Sequence, residues 1–308
     1  MALNKTQHGD VKMTKAGYIA IIGKPNVGKS TLMNAIIGEK LSIVTAKPQT
    51  TRRNVLGIYT QENVQMVFID TPGVLKPRYE LHKSMMHNVE ESLSGADIII
   101  VIADVTRPET ATKVLTPPFI EAIKNTKKPC IAILNKMDAL SDKKQALPLI
   151  ASLHELQVFK EFLPISAKEA DNVPELLKVL EGYLPESPMY HDPELLSTMP
   201  QRFFVAELIR ETIFESLNEE VPYSTEVSIA EFHEKGKGKW HISADIIVEK
   251  DSQKAIMIGE KGSMIKHIGS ESRKKIEDHL QIPVFLELFV KVREDWRDKS
   301  TYLRSFGY

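Results

Sequence analysis

The stretch Gly23-Lys-Pro-Asn-Val-Gly-Lys-Ser30 decides the fold of this 308-residue chain. It fits the pattern G-x-x-x-x-G-K-[ST] and lies between an apolar run at 18–22 and a helix-length segment at 29–38, the strand, loop and helix setting of a phosphate-binding loop. Its two glycines let backbone N–H groups turn toward phosphates. Lys29 would reach the β and γ phosphates, and Ser30 would be a Mg²⁺ ligand. The stretch therefore predicts a nucleoside triphosphate site.

Outward from this loop, short apolar runs alternate with amphipathic segments of helix length as far as about residue 184. The runs are mostly continuous in apolar residues, as strands buried on both faces are. This alternation predicts an α/β domain at 16–184, a doubly wound and mostly parallel sheet of six strands with helices on both faces. The predicted strands are Tyr18–Ile22, Asn54–Tyr59, Gln65–Ile69, Ile98–Ala103, Cys130–Leu134 and Phe162–Ile165, and the predicted helices are 29–38, 82–94, 110–125, 143–157 and 174–183.

Three further motifs each follow a predicted strand. Asp70-Thr-Pro-Gly73 offers a carboxylate that can hold Mg²⁺ through water and the Gly73 amide for a γ-phosphate. Asn135-Lys-Met-Asp138 offers a carboxylate that can accept from N1 and N2 of guanine, a donor pair that adenine lacks. Ser166-Ala-Lys168 would offer a backbone amide to the guanine carbonyl oxygen. Four motifs in this order predict GTP rather than ATP.

The remaining residues lie outside this α/β domain and show different sequence patterns. Residues 1–15 are polar and predict a flexible tail, and prolines across 185–199 indicate a linker. Residues 200–308 predict a small α+β domain with the helix and strand order of the type II KH fold. Its predicted elements are helices at 201–217, up to 258 and at 262–279, with strands at 224–233, 240–250 and 284–292.

Gly259-Glu-Lys-Gly262 lies between two predicted helices of this second domain. In KH domains a GxxG loop clamps the backbone of about four nucleotides, because its glycines allow close approach. The chain carries a net charge of −1, yet from Lys235 to Tyr308 there are fifteen Lys and Arg against eleven Asp and Glu. This basic excess suits phosphate contact. The predicted RNA-binding residues are Gly259, Glu260, Lys261, Gly262 and Lys266.

Over residues 16–308 these motifs, their domain order and the ending Asp295-Trp-Arg297 and Ser305-Phe-Gly-Tyr308 resemble the Era-like GTPase family. The resemblance implies GTP hydrolysis with Mg²⁺ and binding of single-stranded RNA near the 3′ end of 16S rRNA, in 30S subunit assembly and rRNA maturation. A single cysteine allows no disulfide framework, which fits the cytoplasm, and a monomer without DNA partners is expected. The resemblance further implies peripheral association at the inner face of the cell membrane. No amphipathic anchor supports that association independently.

The same resemblance places a first switch at Pro48-Gln-Thr-Thr-Arg52, with Thr51, or alternatively Thr50, on Mg²⁺. Val74 stands where Ras-type enzymes have a water-orienting glutamine, which predicts slow hydrolysis that depends on a partner or an ion. Asn26 would help to hold a K⁺ ion against the phosphates; alternatively, it bonds only its own loop. The predicted catalytic residues are Lys29, Thr51 and Gly73, and the predicted Mg²⁺ ligands are Ser30, Thr51 and Asp70. The predicted nucleotide contacts are Gly23, Asn26, Val27, Gly28, Lys29, Ser30, Thr31, Asp70, Gly73, Asn135, Lys136, Asp138, Ser166, Ala167 and Lys168.

Other function classes fit less well. Related tRNA-modification GTPases carry an additional catalytic or folate-binding portion that these 308 residues do not show, and tandem GTPases would need a second phosphate loop, which does not occur. A non-hydrolysing, nucleotide-dependent RNA-binding module stays open because Val74 replaces the glutamine. The single cysteine, Cys130, lies in an apolar run and is expected to be a buried structural thiol.

Overall fold

The computed structural model describes residues 14–112, 114–234 and 238–308, so most of the predicted N-terminal tail lies outside the described residues. Six strands form the first sheet: β1 (Lys15–Ile22), β2 (Val55–Gln61), β3 (Val64–Asp70), β4 (Ile98–Asp104), β5 (Cys130–Asn135) and β6 (Glu161–Pro164). Their spatial order is β2-β3-β1-β4-β5-β6, with β2 antiparallel to β3 and the other neighbours parallel. The predicted doubly wound sheet is confirmed.

Helices cover both faces of this sheet. They are α1 (Lys29–Ile37), α2 (Glu80–Gly95), α3 (Pro108–Thr112), α4 (Pro117–Thr126), α5 (Leu147–His154) and α6 (Val173–Tyr183). One apolar cluster, including Leu32 and Leu176, lies on one face, and a second, including Val89 and Cys130, lies on the other. Burial raises the pKa of the Cys130 thiol to about 12, which makes it an inert packing group.

Two predicted helices differ from those observed. The helix predicted at 110–125 is divided into α3 and α4, because Thr116 precedes a Pro-Pro pair and is extended, with φ −67° and ψ 152°. The helix predicted at 143–157 begins as a 3₁₀ turn at Lys143–Ala146 and is α-helical only in α5.

The C-terminal part contains α7 (Gln201–Ser216), β7 (Glu226–His233), β8 (Trp240–Val248), α8 (Asp251–Ile258), α9 (Ser263–Leu280), β9 (Val284–Val292) and α10 (Ser300–Phe306). The sheet order is β7-β8-β9, with β7 antiparallel and β9 parallel to β8. One face of this sheet packs against α7 and α9. Helix α10 was not expected from the sequence.

The segment predicted as a linker, 185–199, lies against the first sheet rather than free in solvent. Ile58 N of β2 donates to Leu196 O at 2.8 Å, and the rings of Tyr18 and Tyr190 stack with centroids 5.2 Å apart. Because β2 is an edge strand, this contact satisfies part of its open hydrogen-bonding edge.

A separate apolar cluster joins the two parts of the chain. Leu81 and Met85 of α2 pack with Trp296, and Leu303 of α10 completes the cluster. Trp296 is fully buried and donates from Nε1 to Ser224 O at 2.9 Å. No helix within the described ranges has the length and apolar character needed to cross a bilayer.

Candidate nucleotide site and nucleic-acid interface

The four sequence motifs meet at one edge of the first sheet. Parallel strands end at the same edge, so the loops after β1, β3, β5 and β6 converge there. A cleft of about 470 Å³ at this edge is lined by the phosphate loop, the first-switch segment, Gly73 after β3 and Lys136 after β5, and also by Asp104 at the end of β4, Thr106 and Arg107. The topology therefore places the predicted phosphate, metal and base contacts side by side.

Two glycines in this cleft are required by geometry. Gly28 has φ 101°, and a Cβ there would lie 2.2 Å from Asn135 Nδ2. A Cβ on Gly73 would lie 2.6 Å from Pro25 N. The phosphate loop can thus pack directly against the loops after β3 and β5. The first turn of α1, including Thr31, follows at once and presents its N–H groups at a helix N-terminus suited to an anion.

Lys29 is held inside the phosphate loop. Its Nζ donates to Gly23 O at 3.3 Å and to Lys24 O at 2.9 Å. Burial lowers the pKa of Lys29 to about 8, although the nearby Asp70 carboxylate opposes the change. The ammonium is therefore positioned in the loop while its positive charge is only partly compensated, which suits a phosphate ligand.

The three predicted metal ligands form a compact cluster. Ser30 Oγ donates to Asp70 Oδ2 at 2.6 Å, and Thr51 Oγ1 lies 3.0 Å from Ser30 Oγ and 3.4 Å from Asp70 Oδ2. Asp70 Oδ1 is buried without a hydrogen-bond partner among the described residues, and burial raises the Asp70 pKa. Such a set of oxygens fits Mg²⁺. The other candidate threonine, Thr50, donates instead to Lys47 O at 2.9 Å, so the geometry favours Thr51.

The base-recognition motifs are tied to each other and to the phosphate loop. Asn135 Nδ2 donates to Val27 O at 2.7 Å, and its Oδ1 accepts from Ala167 N at 2.9 Å. Ser166 Oγ donates to Asp138 Oδ1 at 2.5 Å and so orients that carboxylate. These bonds give the Asp138 carboxylate a fixed direction before any base binds.

The two lysines of these motifs behave differently. Lys136 Nζ donates to Asn26 O at 2.8 Å and to Asp104 Oδ2 at 2.6 Å, which joins the loops after β1, β4 and β5. Lys168 points outward and pairs with Glu169 at 3.0 Å. Asp104 was not expected in the site from the sequence, although an acidic residue directly after the predicted strand Ile98–Ala103 was an available signal.

The residue after Gly73 does not supply a water-orienting group. The Val74 side chain packs against the apolar cluster that includes Val89, and its backbone N donates to Gly23 O at 3.0 Å. Asn26 Nδ2 donates to Ala46 O at 2.7 Å. The alternative in which Asn26 bonds only its own loop therefore does not describe this arrangement, because the asparagine reaches Ala46, two residues before the first switch.

The Gly259–Gly262 loop joins α8 to α9 with an unusual backbone. Gly259 has φ 72° and ψ 173°, Lys261 has φ 51° and Gly262 has φ 80°. Lys261 and Lys266 are exposed, and the exposed Ile256 adds an apolar surface beside them. The loop thus presents backbone, positive charge and apolar surface together, as a single-stranded nucleic acid requires.

A buried ionic network connects the first switch to the second domain. Arg52 Nη1 donates to Thr225 O at 2.7 Å and to Glu226 Oε2 at 2.9 Å, and Arg210 Nη2 donates to Thr50 O at 2.6 Å. Burial alone would raise the pKa of Glu226, but the guanidinium groups of Arg53, Arg52 and Arg210 lower it. This network could not be predicted from the sequence, because its members are far apart in the chain.

Comparison with known proteins identifies the family. The chain is 43% identical over 300 residues to GTPase Era of Lactobacillus delbrueckii subsp. bulgaricus, covering 97% of this chain and 98% of that protein. It is also 43% identical to GTPase Era of Geobacter sp. strain M21, with 96% and 99% covered. The chain belongs to the Era GTPase family. It is accordingly a GTP-hydrolysing enzyme, as its relatives' name states.

Family models and solved structures also support membership in the Era GTPase family. Residues 18–136 match a 50S ribosome-binding GTPase model, and residues 220–297 match a KH domain model. A crystal structure of Era in complex with MgGDPNP and nucleotides 1506–1542 of 16S ribosomal RNA has 39% identity and a TM-score of 0.88, covering 96% of this chain and 99% of that one. A crystal structure of a point variant of Aquifex aeolicus Era bound to GDP·AlF4⁻ gives the same identity, TM-score and coverage. The predicted GTPase and KH folds are confirmed.

The lowered pKa of Lys29 predicts a pH dependence for GTP binding. Only the protonated amine attracts phosphate, so affinity should be steady below about pH 8, where free Lys29 is charged, and should fall by up to about tenfold per pH unit above it. Binding near pH 8.5 should also take up protons, measurable by calorimetry in buffers of different ionisation enthalpy. Lys29→Arg, which stays charged, should bind less tightly and without this dependence. An equal pH slope in that variant would contradict the assignment.

The position of Asp138 predicts the base specificity. Asp138→Asn should weaken GTP binding by about a hundredfold or more and strengthen XTP binding, because the amide no longer matches the N1 and N2 donors of guanine. Affinities for both nucleotides can be measured by fluorescence titration. Asp142→Asn, at an exposed helix cap outside the cleft, is the matched control and should leave both affinities unchanged. Unchanged GTP binding in Asp138→Asn would refute the assignment.

Proposed function

We propose that this chain is a GTP-driven switch that binds single-stranded RNA near the 3′ end of 16S rRNA during 30S subunit assembly and rRNA maturation. The observation that carries the proposal is a KH-type GxxG loop with exposed lysines in a chain that aligns over 96% of its length with an Era bound to MgGDPNP and nucleotides 1506–1542 of 16S rRNA. The cofactors are GTP or GDP and Mg²⁺.

In the proposed hydrolysis, the chain acts mainly by positioning and charge. Lys29 would hold the β and γ phosphates, and the Gly73 amide would contact the γ-phosphate that is transferred to water. Ser30, Thr51 and Asp70 would hold Mg²⁺, which neutralises charge on the phosphate oxygens when bound. The Val74 side chain packs in an apolar cluster and cannot orient the attacking water as a glutamine does, so we infer that additional positive charge from another source compensates.

We propose that this source is K⁺ bound near Asn26. Asn26 Nδ2 donates to Ala46 O, two residues before the first switch, so the asparagine lies beside the backbone that leads into the switch. Carbonyl and amide oxygens are suitable ligands for an alkali cation. The ion would supply charge at the place where an arginine finger acts in other GTPases.

In the second domain, the proposed RNA contacts are Gly259 to Gly262 and Lys266. The positive φ values of Gly259, Lys261 and Gly262 make a sharp turn between α8 and α9, and the sugar-phosphate chain is proposed to pass over this turn. Exposed Lys261 and Lys266 add charge for the phosphates. Ile256 offers an apolar surface for a base.

The first switch is proposed to report the nucleotide state to the RNA-binding domain. Thr51 belongs to the Mg²⁺ cluster, while its neighbours Thr50 and Arg52 bond directly to α7 and to the start of β7. A change at the γ-phosphate that moves Thr51 must therefore break or rearrange buried contacts to the KH domain.

The domain limits of 16–184 and 200–308 remain part of this proposal, as do a cytoplasmic location, peripheral membrane association and a monomeric state without DNA partners. The packing of 185–199 on the edge strand β2 supports treating that segment as a structured connection. Size-exclusion chromatography with light scattering and fractionation of cell membranes address the oligomeric state and the location directly.

The RNA assignment is tested by reversing one charge in the loop. Lys261→Glu should weaken binding of an RNA with the 3′-terminal sequence of 16S rRNA by about tenfold or more, because it places a second acidic side chain beside Glu260. GTP affinity should not change. Lys124→Glu, an equal charge reversal at an exposed position of α4, is the matched control and should bind RNA normally. Equal RNA affinities of the two variants in filter binding would remove the KH assignment.

The cation assignment is tested by comparing salts. Hydrolysis should run faster in K⁺ than in Na⁺ at equal ionic strength, with and without the RNA, because Na⁺ is too small for a site shaped for K⁺. Asn26→Ala should abolish that difference and leave nucleotide affinity largely intact. Phosphate release under single-turnover conditions measures both rates. Equal rates of the parent protein in the two salts would show that another group compensates for Val74.

A further inference from the structure

The outer face of the KH sheet carries a cluster that neither GTP hydrolysis nor GxxG-loop binding uses. The inner face of the sheet packs Ile242, Ala244 and Ile246 against the helices. On the opposite face, one oxygen of Glu231 and one ring nitrogen each of His233 and His241 lie within 4.8 Å of one another. Two imidazoles and a carboxylate are a common ligand set for Zn²⁺ in proteins.

A β-bulge puts these ligands on one face. The register of β7 against β8 shifts between Ile229, which pairs with Ala244, and Glu231, which pairs with Ser243. The extra residue reverses the alternation, so Ile229 and Phe232 both pack toward the core while Glu231 and His233 point outward. His233 is then directly opposite His241.

His241 is oriented by two neighbours on β9. Its Nε2 lies 2.8 Å from Glu287 Oε2, and its ring stacks on Phe285 with centroids 5.5 Å apart and planes at 17°. The remaining nitrogen, Nδ1, lies 3.8 Å from Glu231 Oε2. A carboxylate that accepts from one ring nitrogen while the other faces the metal is the usual support of a histidine ligand.

We propose that Glu231, His233 and His241 bind a divalent transition-metal ion of the zinc class, with Glu287 as a positioning residue. His233 Nε2 and Glu231 Oε2 lie 3.3 Å apart, close to the separation of about 3.3 Å between ligands of a tetrahedral ion bound at about 2.0–2.1 Å. The fourth position would be open to water or to a partner's ligand. The imidazole pair favours Zn²⁺, Co²⁺ or Ni²⁺ over Mg²⁺ and Ca²⁺.

The site would hold two strands together. Glu231 and His233 belong to β7 and His241 to β8, so a bound ion would cross-link the ends of the strands that flank the 234–239 connection. The side chains are accessible, since Glu231 is 57% and His233 63% exposed, whereas His241 is 28% exposed and rests on β9. His241 is partly buried and already oriented, whereas the exposed Glu231 and His233 side chains can adjust. The three side chains could therefore bind an ion without a large change in the strands.

Calorimetric titration with ZnCl₂ tests the proposal on the full, untagged chain saturated with MgGDP, so that the nucleotide site is already filled. We expect one Zn²⁺ per chain, with affinity reduced about tenfold or more in His233→Ala and in His241→Ala. The matched control is His87→Ala, which removes another exposed histidine with a carboxylate neighbour, Glu91, at 3.3 Å. That variant should bind Zn²⁺ like the parent. Millimolar Mg²⁺ should not compete.

Two further measurements sharpen the outcome. Co²⁺ should give a visible d–d absorption typical of four-coordination that is lost in the His233 and His241 variants, whose GTP binding shows that they are folded. Glu287→Gln should lower Zn²⁺ affinity about tenfold to a hundredfold, and unchanged affinity there would overturn its positioning role. Absence of Zn²⁺ binding by the parent, or equal affinity in the parent and both histidine variants, would show that the cluster is only a set of surface ion pairs.

Discussion

The parallel alignment of five strands is the constraint on which the nucleotide site depends. Because β1, β3, β4, β5 and β6 run the same way, their carboxyl ends and the loops that follow them share one edge. Residues more than a hundred positions apart are thereby brought into contact. For example, Lys136 Nζ donates to Asn26 O at 2.8 Å. Only glycine at 28 and 73 permits the loops to approach so closely.

Lys29 and Asp70 are buried at this edge, and the surrounding protein groups only partly compensate their charges. The lowered pKa of Lys29, about 8 against 10.5, corresponds to a cost on the order of 3 kcal/mol for keeping it charged in the nucleotide-free protein. This destabilisation of the folded protein is fully present below pH 8, where Lys29 is charged in both the folded and the unfolded chain. It decreases as the pH rises toward 10.5, because the folded protein then holds the neutral amine. Asp70 has the complementary problem, since burial favours its neutral form. Phosphate and Mg²⁺ would satisfy both groups, so the ligands complete the charge balance of the fold.

Buried ionic contacts also couple the region of the first switch to the KH domain. Glu211 of α7 accepts from Val44 N at 3.1 Å and from Lys275 of α9 at 2.8 Å, so one buried carboxylate contacts both the segment that leads into the first switch and the helix that begins after the GxxG loop. Removing one member of such a network leaves an uncompensated buried charge, which is strongly unfavourable. The two domains therefore cannot move independently without rearranging these bonds.

The sequence by itself determined the chemistry that depends on neighbours in the chain. The phosphate loop, the Asp70-Thr-Pro-Gly73 turn and the GxxG loop are short, and each needs particular residue types at fixed spacing because of backbone dihedrals, so they could be recognised locally. Only the tertiary structure decided that 185–199 packs on β2, that Asp104 bonds to Lys136 and that Arg52 pairs with Glu226. Those contacts join segments far apart in the chain. Likewise, a single extra residue in β7 reverses which side chains face outward, and no local pattern reveals the register of two strands.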